Sequence, residues 1–247
     1  MSISALIIAR DEQDRISKAL KSLDFVDEIV VILDRSKDKT NKIVSKFTKQ
    51  IYEGAWESEG SRRNFGISKC NSEWIIEIDA DEVVNKRLAR EIRDKITRSN
   101  DDLYYIRLTN YIGKKKIING WMACLAPDGK FCLFKKGKKI WTDGRVHPEY
   151  NLTGKKGKNF NNTIQHYMSN NLSDLLMRFN RNTSLYAQDL KAEKKSLRKL
   201  FSVRKIFSRF FKSFISRKGF KSAEIGILIG FLCAIYPFVS AIKSKED

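Results

Sequence analysis

The chain has 247 residues, 42% of them hydrophobic, with 48 Lys+Arg against 29 Asp+Glu. That balance excludes a disordered chain, a collagen and a multi-span membrane protein. Four cysteines with no Cys-x-x-Cys pair and only two histidines argue against a zinc module or a disulfide framework, and for a reducing compartment.

Ser2–Ala9 is a continuous apolar run of strand length. Charge arrives at Arg10 and Asp11 with no basic region before it, so the run reads as a buried strand and not as a signal peptide. Ile16, Ala19, Leu20 and Leu23 recur at helical spacing, and Glu28–Leu33 is again strand-like. Ile43, Val44 and Phe47 mark a second helix with Thr40 as its expected cap, and Gln50–Tyr52 a short strand. Ser61–Cys70 reads as a short helix, Trp74–Ile78 as a strand, Leu88, Ile92 and Ile96 as a helix, and Leu103–Leu108 as a strand.

Strand and helix alternating over short connections predict an α/β fold, a mostly parallel sheet flanked by helices. Such sheets bind ligands beyond the carboxyl ends of their strands. The segments to inspect are therefore Arg10–Glu12, Asp34–Asp38 and Asp79–Glu82. Beyond Tyr111 the strands shorten (Lys116–Ile118, Phe131–Phe134, Thr163–Tyr167), and a helix runs from about Leu172 with Ser173 as its expected cap.

Charge divides the chain. Residues 1–110 carry 20 basic and 20 acidic side chains, whereas Lys191–Lys221 holds 12 basic residues and one acid. An evenly charged first part suggests a self-contained domain, and the basic part an anionic partner. A domain is expected over 1–190, with halves of about 1–110 and 111–190, and a basic helical tail over 191–247.

The strongest local signal is Ile78-Asp79-Ala80-Asp81-Glu82. Three carboxylates crowd the end of an apolar strand, where they repel one another unless a cation sits among them. Mg²⁺ and Mn²⁺ take oxygen ligands and are held by one or two carboxylates plus substrate phosphates. The competing reading is that Asp79 or Asp81 caps the next helix. Gly60-Ser-Arg-Arg-Asn64 opens a short helix with two arginines suited to a diphosphate, or forms a solvated surface turn.

Taken together, these residues resemble a known family. Ile8-Ala-Arg-Asp-Glu12, Glu28–Asp34 with Asp38-Lys-Thr40, Arg63-Asn64, Trp74 with Asp79-Ala-Asp-Glu82, and Gly120-Trp121 follow its order. So do Pro127-Asp128, Leu133–Gly137, Val146-His147 and His166-Tyr167. The chain resembles a family 2 glycosyltransferase of the GT-A fold, and is similar to the short bacterial branch that includes the lipopolysaccharide core β-1,4-glucosyltransferases.

The resemblance implies a nucleotide-sugar donor with UDP-glucose favoured, Mg²⁺ or Mn²⁺, inversion at the anomeric carbon, and a cell-envelope glycan or lipid-linked acceptor. It makes Asp81 a metal ligand and Asp79 a ribose or metal contact, with His166 or His147 as further metal ligands. Ala9, Glu12 and either Asp34 or Asp38 line the nucleoside pocket, and Arg63 meets the donor. Glu149 and Asp128 are both candidates for the base that deprotonates the acceptor. Three departures stand out: the loop after Asp34 lacks the usual Gly-Ser run and is a residue short, Pro148 separates His147 from Glu149, and Lys130 occupies a position where Gln is common.

In the tail, Phe201, Ile206, Phe207, Phe210, Phe211, Phe214 and Ile215 alternate with Arg204, Lys205, Arg209, Lys212, Arg217 and Lys218. Ile225–Ile242 is then free of charge apart from its flanks, and holds Pro237. A basic aromatic helix followed by an apolar stretch suits peripheral or monotopic binding to the cytoplasmic face of a bacterial inner membrane. The alternatives are a non-catalytic membrane adaptor and a nucleic-acid-binding protein. No nucleic-acid partner is expected, because that reading leaves the apolar stretch without a role.

Overall fold

The computed structural model describes residues 1–143, 148–192 and 197–246. The chain forms two compact units, one of residues 1–108 and 129–166, the other of residues 109–128 and 167–247.

The first unit begins with β1 (Ile3–Ala9), α1 (Ile16–Lys21), β2 (Glu28–Asp34), α2 (Thr40–Val44), β3 (Ile51–Gly54), α3 (Glu59–Lys69) and β4 (Trp74–Asp79). The four strands lie side by side in the order β3-β2-β1-β4. All their pairings are parallel, with Ile8 level with Ile32 on one side and Asp79 on the other. β1 and β4 are largely apolar and buried, Ser4 and Glu77 included, because both faces of a parallel sheet are covered. One face packs on Ile16, Leu20, Leu88 and Ile92, the other on Ile67, Cys70 and Phe134.

The chain continues through a two-residue strand β5 (Glu82–Val83), α4 (Lys86–Arg98), β6 (Leu103–Ile112), β7 (Lys115–Ile117), β8 (Gly129–Lys135), β9 (Lys139–Trp141), β10 (Tyr150–Leu152) and β11 (Ile164–Ser169). β8 inserts antiparallel beside β4, with Trp74 opposite Lys135 and Ile76 opposite Leu133. This reversal brings the start of β8 to the carboxyl end of β4. β11 pairs antiparallel with β5, setting His166 opposite Glu82.

Two of the cap readings in the first unit differ. Thr40 is the first residue of α2 and caps nothing; its hydroxyl accepts from the Glu12 N–H instead. Neither Asp79 nor Asp81 caps α4: Asn85 does so, accepting from the N–H groups of Arg87 and Leu88 at 3.0 Å each. The carboxylates are thereby left for other work.

The second unit holds β7 and the helices α5 (Leu172–Ala192), α6 (Val203–Phe211) and α7 (Ala223–Lys243). Asn171, and not Ser173, caps α5, accepting from the Asp174 N–H at 2.9 Å. The basic aromatic segment is α6 followed by a π-helical turn at Lys212–Ser216; two residues beyond it, Lys218 lies in the left-handed region, φ 56°. α7 runs through Pro237 without a break. Its Ile229, Leu232 and Cys233 join Trp121, Met168 and Leu175 in one buried core. The change in charge near residue 190 is thus compositional; the compact unit runs across it.

Candidate active site

The carboxyl ends of β1, β2 and β4 carry the three predicted polar segments in the first unit. Two of them are stitched together. Asp38 accepts from the Gln13 N–H at 3.0 Å and from Thr40 N–H and hydroxyl at 2.9 and 2.5 Å, while Asp11 accepts from the Lys37 N–H at 2.7 Å. Asp38 therefore serves as a loop clamp. Asp11 and Arg35 both adopt left-handed backbone, φ 53° each, a strained state for a residue such as arginine and one concentrated at functional loops.

Asp34 is buried at the end of β2, where two arginines take up its carboxylate. Arg62 Nη1 lies 2.5 Å from Oδ2, and Arg35 Nε 2.9 Å from Oδ1. Burial opposes ionisation, but the hydrogen bond from Arg35 and the charge of Arg62 outweigh it and hold the carboxyl below its ordinary range.

Arg62 and Arg63 follow one another on α3, so they point about 100° apart and serve different strand ends. Arg63 reaches the end of β4: its Nη2 is 2.7 Å from Glu59 and 3.5 Å from Asp79 Oδ1, and its guanidinium lies 4.7 Å from the Trp141 ring centre. Arg63 thus reaches the carboxylate cluster from within a short helix and not a surface turn.

Around Asp79–Glu82 the cations are closely placed. Lys130 Nζ is 2.8 Å from Asp79 Oδ2 and 2.7 Å from Glu82 Oε2. Glu82 also accepts from the Asp79 N–H at 2.9 Å. Burial disfavours a charged Asp79, yet Lys130 and Arg63 together hold it well below the usual carboxylate range. Burial, helped by the neighbouring Asp79, pushes Glu82 the other way. Asp81 faces elsewhere: its Oδ2 is 3.5 Å from Arg15 Nη1 and its Oδ1 3.6 Å from His166 Nε2. Arg15 in turn pairs with Glu12 at 2.6 Å.

Of the remaining predicted residues, Ala9 is buried at the end of β1. His147 lies outside the described residues. Glu149 is exposed in the first unit, and its carbonyl accepts from the Thr142 N–H and hydroxyl, next to Trp141. Asp128 belongs to the second unit, largely exposed and 3.7 Å from Arg217. The composition-based reading overlooked Arg15 and the role of Lys130. Both are single charges, each brought to its partner by chain folding and not by local spacing.

A buried strand end that gathers three carboxylates, three fixed cations and one imidazole is suited to receiving a polyanion and stabilising charge that leaves with it. In a mixed sheet whose first four strands are parallel, this polar cluster lies beyond the carboxyl ends of the strands, where α/β proteins bind ligands. The model of glycosyl transferase family 2 matches residues 4–145, and the chain belongs to that family; it is a glycosyltransferase.

An uncharacterised glycosyltransferase of Rickettsia felis is 26% identical over 99% of this chain and 90% of its own length. The lipopolysaccharide core biosynthesis glycosyltransferase LpsC of Rhizobium meliloti is 28% identical, over 42% of this chain and 40% of that protein. Among solved structures, residues 1–349 of S. aureus TarS in complex with UDP share the fold, with a TM-score of 0.53. That comparison has 13% identity and covers 99% of this chain and 90% of the other. The expected GT-A architecture is thereby established.

Proposed function

We propose that this glycosyltransferase moves a hexose, with UDP-glucose the favoured donor, onto a lipopolysaccharide-core or other cell-envelope acceptor, inverting the anomeric carbon. The observation that carries the reading is the convergence of Asp79, Asp81, Arg63, Lys130 and His166 at the end of β4. The UDP complex of TarS supports the nucleotide, and the partial likeness to LpsC supports the acceptor class.

The family implies a divalent ion, and the residues present can be tested for it. Asp81 Oδ1 and His166 Nε2 are 3.6 Å apart, a separation that two ligands of one ion can span. Asp79 does not fit as a ligand, since Lys130 and Arg63 face its two oxygens. Among the described residues no three His, Cys, Asp or Glu side chains are grouped to hold a metal. A Mg²⁺ or Mn²⁺ ion at Asp81 and His166 thus needs the donor diphosphate and water to complete its shell, as is usual for Mg²⁺. When bound, it supplies positive charge beside the leaving diphosphate.

The chain's own groups do the rest. Arg63 and Arg15 hold the phosphates and oppose their growing charge. Asp79, kept ionised by its two cations, accepts from donor hydroxyls. Glu149 is favoured over Asp128 as the base that takes the acceptor hydroxyl proton, because it shares the unit of the carboxylate cluster and lies next to Trp141. Residues 1–190 remain the proposed catalytic portion.

Membrane association rests on the second unit. Val203, Phe207, Phe211 and Ile215 recur every four residues and are 50–62% exposed, with the exposed Arg204, Lys205 and Lys212 between them. Apolar side chains in the acyl boundary and lysines at phosphate level suit an anionic bilayer surface. α7 is long and apolar enough to cross a membrane, but half of its most apolar stretch is buried within the unit. Tyr236 also donates to the Asn182 carbonyl, and Lys243 reaches Asn180 and Thr183. These contacts favour lying on the membrane over spanning it.

The test is calorimetric titration of UDP-glucose, other UDP-sugars and GDP-mannose, with Mn²⁺ and with EDTA. Binding of one UDP-sugar that Mn²⁺ strengthens supports the reading. A folded protein that binds none of them overturns it in favour of a membrane adaptor.

A further inference from the structure

Arg35 stands just beyond the end of β2, fastened by its neighbours. Its Nε and Nη2 donate to the two Asp34 oxygens at 2.9 and 3.1 Å, and Nη2 also donates to the Trp56 carbonyl at 2.7 Å. Its backbone N–H donates to the Gly54 carbonyl at 2.9 Å. Asp34 is fully engaged in return. Its Oδ1 also accepts from the Trp56 N–H at 3.4 Å and its Oδ2 from Arg62 Nη1 at 2.5 Å, and its side chain is 3% exposed. A carboxylate so placed has no lone pair left for a ligand. Arg35 is the reverse case: its side chain is 46% exposed. Of the five N–H donors of a guanidinium, the two on Nη1 have no partner among the described residues.

The position suits a nucleobase. β2 and β4 flank β1, so their ends are about 10 Å apart, two strand spacings. That is the reach of a nucleoside: with the donor phosphates at Arg63 beside Asp79, the base extends to Arg35. The loops after β1 and β2, joined through Asp11 and Asp38, form one fixed wall there.

We propose that Arg35, oriented by Asp34, reads the nucleobase of the donor and selects a base that presents a carbonyl oxygen. The inference rests on the nucleotide-sugar reading given above. A guanidinium carries donors only and stays charged. It meets the carbonyl oxygen of uracil or guanine, whereas cytosine and adenine place an amino group there, a donor facing a donor. Asp34 is then a positioning residue: it holds the guanidinium plane and does not touch the base.

The test is calorimetric titration of UDP and CDP, which differ at that one edge, into the full-length protein with Mn²⁺. GDP and ADP form a second such pair. The native protein is expected to bind UDP about tenfold or more tightly than CDP, as for a hydrogen bond from a charged group. Arg35→Ala is expected to lose most of that preference, UDP weakening about tenfold and CDP little. Arg62 still pairs with Asp34 in this variant, so no buried charge is stranded. Arg35→Gly suits the left-handed backbone at φ 53° and repeats the measurement without strain; circular dichroism checks folding. Asp34→Asn loosens the same guanidinium and is expected to narrow the preference as well.

Equal loss of UDP and CDP affinity in the Arg35 variants shows attraction to the diphosphate alone and overturns the proposal. Tighter UDP binding overturns it too, since Arg35 then only covers Asp34. So does a native protein that binds both members of each pair equally. A full preference in folded Asp34→Asn removes Asp34 from the positioning role. Failure of the nucleotide-sugar reading looks different: the folded native protein then binds no nucleoside diphosphate, and this inference falls with it.

Discussion

Lys139 and Glu77 form an ion pair at 2.5 Å with side chains only 1% and 3% exposed. The same carboxylate accepts from the Trp141 indole N–H at 2.7 Å, and the ammonium lies 4.1 Å from the Trp141 ring centre. Trp141 exchanges two backbone hydrogen bonds with the Asn64 side chain and carries Arg63 on its face. The buried charge pair thus ties β9 to β4, Asn64 ties β9 to α3, and together they set the position of Arg63. Burial outweighs the attraction of Glu77 and lowers the Lys139 pKa, so the pair is costly to leave half-made.

Lys139→Met is therefore expected to destabilise the protein by about 3–5 kcal/mol, because it strands the Glu77 charge. Adding Glu77→Gln restores most of the loss, since Gln still accepts from Trp141. Urea unfolding of the two variants checks this. Equal stability of the single and double variants contradicts it.

Gly60 lies where α3 meets the strand end after β9; a Cβ there would stand 1.9 Å from the Thr142 carbonyl oxygen. Gly60→Ala must push these backbones apart, at a cost of about 1–3 kcal/mol. Because Arg63 is one turn further along the same helix, kcat/KM is expected to fall as well. Steady-state kinetics beside thermal unfolding measure both effects.

Asp81→Asn is expected to lower kcat by about 10²–10³-fold or more, as for loss of a group that stabilises leaving charge, while the fold persists. Turnover at the native rate in a folded variant removes Asp81 from the proposed metal-binding role.

Acid sensitivity follows from Glu28. Its carboxylate accepts from Ser4, from Asn71 N–H and side chain at 2.8 Å each, and from Gln50 at 2.8 Å. Burial alone raises its pKa, but these donors outweigh burial and bring it below 4.5. A depressed folded-state pKa contributes stability that is present above the unfolded value and lost as pH falls through the folded one. The stability gap between native protein and Glu28→Gln is expected to be full near neutral pH and to shrink below pH 4.5. Urea midpoints from pH 3 to 7 test the sign.

At the membrane, Phe207→Glu with Phe211→Glu removes two exposed rings from α6 and adds charges repelled by anionic lipid. Co-sedimentation with vesicles of phosphatidylglycerol and phosphatidylethanolamine is expected to drop strongly while donor binding is retained. Unchanged sedimentation assigns membrane binding elsewhere.

Much of this site was legible in the sequence because parallel strands buried on both faces are largely apolar runs. Where such a run stops, at Ala9, Asp34 and Asp79, the chain meets solvent and polar residues begin. Local order alone therefore located the strand ends and the Asp79–Glu82 cluster, and the family motifs gave the chemistry. The capping roles of Asn85 and Asn171 were obscured because several polar residues near each helix start compete for the same N–H groups.

The sequence by itself determined the α/β alternation, the acidic strand end and the basic aromatic tail, each written in neighbouring residues. Only the tertiary structure decided that Lys130, 51 residues from Asp79, neutralises that cluster, and that α7 is a core helix of its unit. Both depend on contacts between segments far apart in the chain. An antiparallel insertion such as β8, or a partner face for an apolar helix, is selected by what the whole chain can bury and pair, which no local pattern encodes.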